Sequence, residues 1–297
     1  MKRPATSRFD VRDRVALVTG AGSGIGRALA RLLHERGAWV ALVDVNPTGL
    51  ELVRATVGPR RVSVHVADVT DRTRMSEVVA EAIDQHGRLD LVVANAGVTP
   101  APATITTMDL ADYDRVVAIN QTGVLNTVQP ALPEVIARQG HVVVVASCAA
   151  FSPGVGGVAY MSSKAAAEQI GRALKIELAP HGASAGVAYF GFVETPLATA
   201  TLDDDPTGRK LDELLGWPLN HRISAEAAAT SIADGIASRA GATYAPRRWL
   251  PYSMLRGVLN PGMDQVLVRD RRVHDLVREL ETRRPPGDPL KPDNVQR

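Results

Sequence analysis

The chain has 297 residues, of which 45% are hydrophobic and 22% charged, a globular composition that excludes disorder or a fibrous fold for most of it. Its 34 lysines and arginines nearly balance 32 aspartates and glutamates, so the net charge of +2 does not indicate a nucleic-acid-binding protein. The single cysteine, Cys148, excludes a disulfide scaffold, and the histidines lack metal-ligand spacing, so no metal is expected.

Apolar, strand-like runs alternate with helix-like segments, which is the pattern of a parallel α/β sheet. Strands are predicted at 15–19, 38–43, 62–66, 89–94, 141–146, 183–189 and 242–244, and helices at 27–36, 72–86, 109–137, 158–179 and 225–239. The strands show little polar alternation, as a sheet covered on both faces requires. We therefore predict a doubly wound, Rossmann-like parallel sheet in a single domain with a C-terminal helical extension.

The chain divides into an N-terminal lead at 1–13, a main α/β domain at 14–245, and an extension at 246–297 whose last residues are predicted to be disordered. Within the domain, 190–222 breaks the alternation and is predicted to be a long loop beside the substrate. No run approaches the roughly 18 apolar residues of a membrane span, and 1–14 is too polar for a signal peptide. We expect a cytoplasmic protein without an integral membrane segment.

The glycine-rich segment 19–26, TGAGSGIG, joins the first predicted strand to the first helix. Glycines allow backbone N–H groups to approach a phosphate, and the N-terminus of a helix favours an anion. A glycine cluster alone is weak evidence, but its place between a strand and an amphipathic helix favours a dinucleotide-binding loop. The residues assigned to this loop are Gly20, Ser23, Gly24, Ile25 and Gly26.

Asp44 ends the second predicted strand 18 residues after Gly26, close to the position of a ribose-binding acid. A carboxylate there can accept hydrogen bonds from ribose hydroxyls and would repel a 2′-phosphate, while neither Ser23 nor Val45 supplies a base to offset this repulsion. This pattern predicts NAD rather than NADP. The alternative interpretation is that Asp44 only caps the turn that follows its strand.

Tyr160 and Lys164 lie four residues apart at the start of a predicted helix and therefore share one face. A nearby ammonium stabilises a phenolate and lowers its pKa, which suits a general acid/base. Ser147, at the end of the most strand-like run, can donate a hydrogen bond to a substrate oxygen. The Tyr-x-x-x-Lys pair alone occurs by chance in many helices, so its weight comes from its combination with Ser147 and the phosphate loop.

Together these features resemble the short-chain dehydrogenase/reductase family. The matching residues run in the family's order from 15 to about 200: TGAGSGIG at 19–26, Asp44, Asp68 and Val69, Asn95-Ala96-Gly97, Asn120, Ser147, Tyr160-Met161-Ser162-Ser163-Lys164, and Gly191 with Thr195. The sequence departs from the family in having Phe190 where a proline usually precedes the glycine. It also continues for about fifty residues beyond the last predicted strand.

The resemblance implies a role for each matching residue. Tyr160 would be the acid/base, Ser147 would hold the substrate oxygen, and Lys164 would lower the tyrosine pKa and bind the nicotinamide ribose. Asn120 would position a water that links Lys164 to a proton relay. The remaining residues would hold the cofactor: Asp68 and Val69 at the adenine, Asn95, Ala96 and Gly97 on the adenosine side, and Val193 and Thr195 at the carboxamide and diphosphate.

The resulting hypothesis is an NAD-dependent dehydrogenase or reductase for a hydrophobic secondary alcohol or ketone that is steroid-, terpene- or lipid-like. It rests on the apolar residues expected around the site: Ala149, Ala150, Phe151, Val155, Val158, Phe192, Leu197, Leu202, Leu211, Leu214, Leu215 and Trp217. The resemblance also implies a homodimer or homotetramer formed through the helices at 109–137 and 158–179. Two alternatives remain open: a catalytically silent NAD-binding regulatory protein, and a membrane-peripheral lipid-ketone reductase that uses NADP.

Overall fold

The computed structural model describes residues 8–151, 153–215 and 220–282, except for the side chains of 211–215. Its strands are β1 (Val15–Thr19), β2 (Trp39–Asp44), β3 (Val62–Val66), β4 (Leu91–Ala94), β5 (His141–Val145), β6 (Ser184–Phe190), β7 (Val193–Glu194), β8 (Ile223–Ser224) and β9 (Ala242–Ala245). Seven of them form a parallel sheet in the order β3-β2-β1-β4-β5-β6-β9, while β7 pairs with β8. The strand order reverses between β1 and β4, which creates a crevice at the carboxyl ends of the strands.

Helices cover both faces of this sheet. They are α1 (Gly24–Glu35), α2 (Pro47–Val57), α3 (Arg72–His86), α4 (Leu110–Val117), α5 (Gly123–Val128), α6 (Leu132–Ala137), α7 (Val158–Leu178), α8 (Pro196–Ala198), α9 (Pro206–Leu215), α10 (Ala225–Ala237), α11 (Trp249–Leu267) and α12 (Arg271–Thr282). One apolar core lies under α1, α2 and α10, and the other under α3, α5, α6 and α7. The predicted doubly wound sheet with a C-terminal helical extension is confirmed.

Helix α2 is the main element that the sequence analysis did not predict. Asn46 caps it by accepting a hydrogen bond from the Gly49 N–H at 3.2 Å, and Pro47 occupies the first helical position. Both are ordinary signals for a helix start. Its buried face is narrow, with only Leu50 and Val53 as large apolar contacts, so its hydrophobic pattern is weak.

Two predicted segments differ from expectation in their internal structure. The helix expected over 109–137 is interrupted by a π-helical turn at Ala118–Thr122 and a 3₁₀ turn at Gln129–Ala131. The long loop expected over 190–222 instead contains β7, α8, a π-helical turn and α9. Hydrogen-bonded turns satisfy backbone groups that a long irregular loop would leave to water.

The C-terminal extension packs on the sheet through an aromatic cluster. Trp249 at the start of α11 is only 5% exposed, and it contacts the ring of Phe151, which also packs on Tyr189. Residues 283–297, for which disorder was predicted, lie outside the described residues, as does Trp217. No helix within the described ranges combines the length and apolar character needed to cross a membrane.

At the amino-terminal edge of the sheet, a buried carboxylate joins β1 to β4. Asp90 accepts hydrogen bonds from the Val15 N–H at 3.0 Å, from Arg14 at 3.1 Å, and from Arg88 at 2.6 and 2.7 Å. Its side chain is fully buried, whereas both guanidinium groups are about one-third exposed. Removing a buried carboxylate leaves its donors unsatisfied, which costs more than losing an exposed ion pair.

We therefore expect Asp90→Ala to lower the free energy of unfolding by about 2–4 kcal/mol, as measured by chemical denaturation. The matched control is Asp234→Ala, which removes an exposed carboxylate paired with Arg36 at 3.0 Å and should cost no more than about 1 kcal/mol. Equal losses of unfolding free energy in the two variants would contradict the conclusion that burial makes the Asp90 carboxylate the more costly one to remove.

Candidate active site

Helix α1 begins at the end of the phosphate loop, and no side chain caps the backbone N–H groups of its first turn. Ser23 takes the N-cap position but makes no side-chain cap hydrogen bond, and the first turn of the helix contains no acidic residue. Gly24 has a φ of 48°, and a Cβ there would lie 3.2 Å from the Thr195 methyl group. Thr195 itself caps α8 by accepting a hydrogen bond from the Ala198 N–H at 3.3 Å. The start of α1 and the start of α8 thus converge, as a diphosphate site requires.

Asn95 and Thr19 tie the phosphate loop to the end of β4. The Asn95 amide donates to the Thr19 carbonyl at 2.9 Å, and the Thr19 hydroxyl accepts from the N–H groups of Asn95 and Ala96 at 3.0 and 3.2 Å. A Cβ on Gly26 would overlap the Gly20 carbonyl, so the loop folds tightly onto its own start. Thr19, which the sequence analysis did not single out, is buried at the centre of this network.

Asp44 lies at the end of β2 beside the phosphate loop. Its carboxylate accepts hydrogen bonds from the N–H groups of Gly22 and Asn46, each at 2.9 Å. The bond from Asn46 is the turn cap expected under the alternative interpretation of Asp44. The bond from Gly22 shows that the same carboxylate also contacts the phosphate loop. Arg27 binds the Gly22 carbonyl through two nitrogens at 3.1 and 2.8 Å, which places a guanidinium near the loop.

The predicted adenine-flanking residues follow β3. Asp68 is exposed and accepts a hydrogen bond from the Thr70 N–H at 2.8 Å, whereas Val69 is buried. The Val69 carbonyl accepts from the Asn126 amide at 2.9 Å, so a residue of α5 fixes this turn. Ile25 in the loop is half-buried and packs on the core under α1. Nothing in the sequence motif identified Asn126.

Helix α7 brings Tyr160 and Lys164 to the end of β5. The hydroxyl of Tyr160 interacts with Ser147, whose Oγ donates to the Phe190 carbonyl at 3.3 Å and accepts from the Ala149 N–H at 3.1 Å. Lys164 is 4% exposed, and its Nζ donates to the Val145 carbonyl at 3.1 Å. Three of the four residues predicted to be catalytic, Ser147, Tyr160 and Lys164, therefore form one cluster.

The pKa of Tyr160 differs in direction from the sequence expectation. Burial raises the pKa of its hydroxyl, and the hydrogen bond with Ser147 acts in the opposite direction. Burial also lowers the pKa of the Lys164 ammonium to about 8. The Nζ of Lys164 lies 5.7 Å from the centre of the Tyr160 ring and is directed to the Val145 carbonyl. In this arrangement desolvation is the largest influence on the Tyr160 pKa, and the contribution expected from Lys164 is not among its causes.

Asn120 occupies the π-helical turn between α4 and α5 and is fully buried. Its Oδ1 accepts from the Val98 N–H at 2.8 Å, and its Nδ2 donates to the Val98 carbonyl at 2.9 Å and to the Ser163 hydroxyl at 3.0 Å. A Cβ on Gly97 would lie 3.2 Å from Lys164 Nζ and 3.3 Å from Asn120 Oδ1, so both side chains border the same glycine. The π-helical turn, a feature often found at functional sites, was not predicted.

Contacts with the extension fix the segment that leaves β6. Phe190, which stands where the family usually has proline, is 3% exposed in the core. The Gly191 N–H donates to the Ala245 carbonyl at 3.1 Å, and a Cβ on Gly191 would collide with the indole nitrogen of Trp249. Buried Val193 follows in β7. Packing thus replaces the conformational restriction that proline would supply.

An apolar groove lies along the loop that follows Ser147 and the start of α7, and none of Ser147, Tyr160 and Lys164 lines it. Its lining residues are Ala149, Ala150, Phe151, Pro153, Gly154, Val158, Met161, Ser162 and Ala165. Leu280 of α12 reaches this loop, because its Cδ1 lies 3.0 Å from the position of a Cβ on Gly156. The side chains of Leu211, Leu214 and Leu215 lie outside the described ones. Among the described residues, no group of three or more histidines, cysteines, aspartates or glutamates could hold a metal ion.

Comparisons with known proteins agree with this geometry. An uncharacterized oxidoreductase of Staphylococcus aureus is 36% identical over 199 residues, which cover 67% of this chain and 84% of that protein. A 3-oxoacyl-[acyl-carrier-protein] reductase of Thermotoga maritima is 36% identical over 190 residues, covering 63% and 77%. The crystal structure of a short chain dehydrogenase from Mycobacterium paratuberculosis bound to NAD superposes with a TM-score of 0.70 at 28% identity, covering 79% and 96%.

The family model for short chain dehydrogenases matches residues 14–206, which include β1 through α8 and every candidate site residue. The first two relatives named above are each 36% identical to this chain, over 199 and 190 residues. The chain therefore belongs to the short-chain dehydrogenase/reductase family of oxidoreductases, whose members bind a nicotinamide cofactor.

Proposed function

We propose that the protein interconverts a hydrophobic secondary alcohol and its ketone with NAD(H), using Tyr160 as the general acid/base. The observation that carries this proposal is the cluster of Ser147, Tyr160 and Lys164 at the carboxyl end of β5. This cluster lies beside the crevice where the strand order reverses, which is where open α/β sheets bind ligands.

The residues of the cluster divide the proton chemistry between them. In alcohol oxidation, the ionised Tyr160 oxygen would take the proton of the substrate hydroxyl, and the acceptor of the hydride from the carbinol carbon would be a bound dinucleotide. Ser147 holds the substrate oxygen by a hydrogen bond. The Lys164 ammonium has three donors, of which the Val145 carbonyl takes one, and the others serve the cofactor ribose. Ketone reduction uses the same steps in reverse, with Tyr160 donating the proton.

Several features of the chain fit a dinucleotide. The N–H groups at the start of α1 are not occupied by a capping side chain, and the phosphate loop is too tightly packed for side chains at Gly20 and Gly26. Thr195, which directly follows β7, lies beside Gly24 of this loop. When bound, the dinucleotide supplies the hydride acceptor or donor through its nicotinamide ring.

The position of Asp44 supports NAD rather than NADP. Its carboxylate already accepts two backbone hydrogen bonds at the phosphate loop, so it is held in place and negatively charged beside the expected adenosine ribose. A 2′-phosphate there would be repelled, at a cost on the order of one to several kcal/mol.

The apolar groove supports a lipophilic substrate. The segment 148–158, between the proposed catalytic serine and tyrosine, contains no charged residue. Phe151 is buried among aromatic rings, and Leu280 packs on the loop at Gly156. A charged ligand that enters an apolar groove loses its hydration and finds no opposite charge there, which is costly. A sugar acid or a phosphate ester would therefore bind poorly.

We also propose a homo-oligomer formed through α4 and α7, as the family resemblance implies. Exposed apolar side chains on this side of the molecule support it, namely Leu110, Leu125 and Ile176. Part of α7 is not available for such pairing, because Glu168 on this helix binds Arg256 of α11 at 2.5 and 2.9 Å.

Replacing Tyr160 with phenylalanine tests the proposed acid/base. We expect Tyr160→Phe to lower kcat/KM by about 10² to 10⁴-fold on any secondary alcohol that the wild type oxidises with NAD, because no other group replaces the lost proton acceptor. The measurement is NADH formation across a panel of lipophilic alcohols, with sugars and charged hydroxy acids included. Tyr113→Phe removes a hydroxyl from α4 and is the matched control.

Full activity of Tyr160→Phe would refute the assignment. Turnover confined to the sugars or acids would refute the apolar substrate, and NADH binding without turnover of any alcohol or ketone by the wild type would favour the regulatory alternative.

Ser147→Ala tests the hydrogen bond that lowers the pKa of Tyr160. Loss of this bond should move the rising limb of kcat/KM for alcohol oxidation to higher pH, since the pKa of Tyr160 then rises further and its base form appears later. Ser162→Ala removes a hydroxyl of α7 that donates to the Ala159 carbonyl, and its profile should keep the wild-type position. An unshifted profile for Ser147→Ala would contradict this role.

Asp44→Asn tests cofactor choice, because it removes the charge at nearly unchanged size, although its single oxygen can accept only one of the two bonds that Gly22 and Asn46 donate to separate oxygens of Asp44. The ratio of kcat/KM with NADP to that with NAD should rise at least about tenfold, since Arg27 remains near the loop and the repelling carboxylate is gone. Asp68→Asn, at the end of the neighbouring strand, should leave the ratio unchanged. Equal ratios in the two variants would show that Asp44 does not set the preference.

A further inference from the structure

Helix α11 exposes an apolar face. Between Trp249 and Leu267, the exposed side chains are apolar apart from Gln265, and the large ones are Met254, Leu255, Val258, Leu259, Met263 and Val266. Met254 is 76% exposed and Val258 is 80% exposed. With 3.6 residues per turn, the six residues follow one side of the helix. We refer to them as the outer face of α11.

Apart from the exposed Gln265, the polar residues of α11 named here point in the opposite direction, toward the domain. Arg256 binds the buried Glu168 of α7, and the Asn260 amide donates to the Phe151 carbonyl at 2.6 Å. Tyr252 donates to the Asn260 Oδ1 at 2.7 Å, and Asp264 lines the groove between α11 and α7. A surface helix normally buries its apolar side and exposes its polar side. This helix does the reverse, so its outer face is built to meet an apolar environment.

Arginines flank this face at both ends. Arg247 and Arg248 precede α11 and are exposed, as are Arg269 and Arg271 just beyond its C-terminal end. The one acidic residue within the helix, Asp264, faces the groove at α7. An apolar helix face with arginines at its ends matches the interface of a bilayer with anionic headgroups, where the apolar side chains enter the acyl boundary and the guanidinium groups bind phosphates.

The same charges oppose pairing of the outer face with a second copy of the chain. Parallel packing of two α11 helices would place Arg247 and Arg248 against themselves, and antiparallel packing would place them against Arg269 and Arg271. Like charges brought together at an interface are destabilising. We propose that the outer face of α11 docks the protein onto the surface of an anionic phospholipid bilayer.

The test uses the full chain and vesicles of phosphatidylcholine, alone or with phosphatidylglycerol. We expect the wild type to sediment with the anionic vesicles, and added salt to weaken this binding because it screens the arginines. The double variant Met254→Glu, Val258→Glu should bind at least about tenfold more weakly, because it places two negative charges on the face that meets the lipid. Its circular dichroism should match the wild type.

Leu52→Glu is the matched control, since Leu52 is a 57% exposed apolar residue of α2, and this variant should bind vesicles like the wild type. Equal vesicle binding by the double variant and the wild type would overturn the proposal, as would failure of the wild type to bind anionic vesicles. A lower oligomer mass of the double variant in sedimentation equilibrium, without vesicle binding by the wild type, would show instead that the face joins copies of the chain.

Discussion

The burial of the Lys164 ammonium at the end of β5 is the contact on which the active site depends. Its hydrogen bond to the Val145 carbonyl fixes the start of α7 over the sheet, and Tyr160 is thereby held one helical turn away beside Ser147. The same ammonium borders Gly97 together with Asn120, so the ends of β4 and β5 and the turn after α4 share one site. Any larger residue at 97 would separate these groups.

The C-terminal extension contributes to the site through both of its helices. Trp249 packs on Gly191, from which the chain continues to Val193 and Thr195 at the cofactor side. At the other end, Leu280 reaches Gly156, and Glu279 pairs with Lys210 of α9 at 2.5 Å. The extension that carries the outer face of α11 is therefore linked to the segment after β6 through α11 and to the loop of the apolar groove through α12, which is consistent with a substrate that partitions into a membrane.

Sequence patterns predicted the sheet, the phosphate loop and the Ser147, Tyr160 and Lys164 cluster, because strand periodicity and helical spacing determine which side chains meet. They did not predict the roles of Thr19 and Asn126, whose hydrogen bonds join segments distant in sequence. Sequence patterns also did not predict the direction in which the Tyr160 pKa is shifted, because that shift depends on desolvation by the whole fold rather than on one neighbour. The reversed polarity of α11 likewise required knowing which face contacts α7.

The close fit of Trp249 on Gly191 limits how the chain can be shortened. Cutting it after β9, to the size of a protein without the extension, would uncover the rings of Phe151, Tyr189 and Tyr244 and the carboxylate of Glu168. Such a fragment would expose a contiguous patch of aromatic side chains and would therefore aggregate. The extension is thus part of the core of the domain, because it covers these rings and this carboxylate.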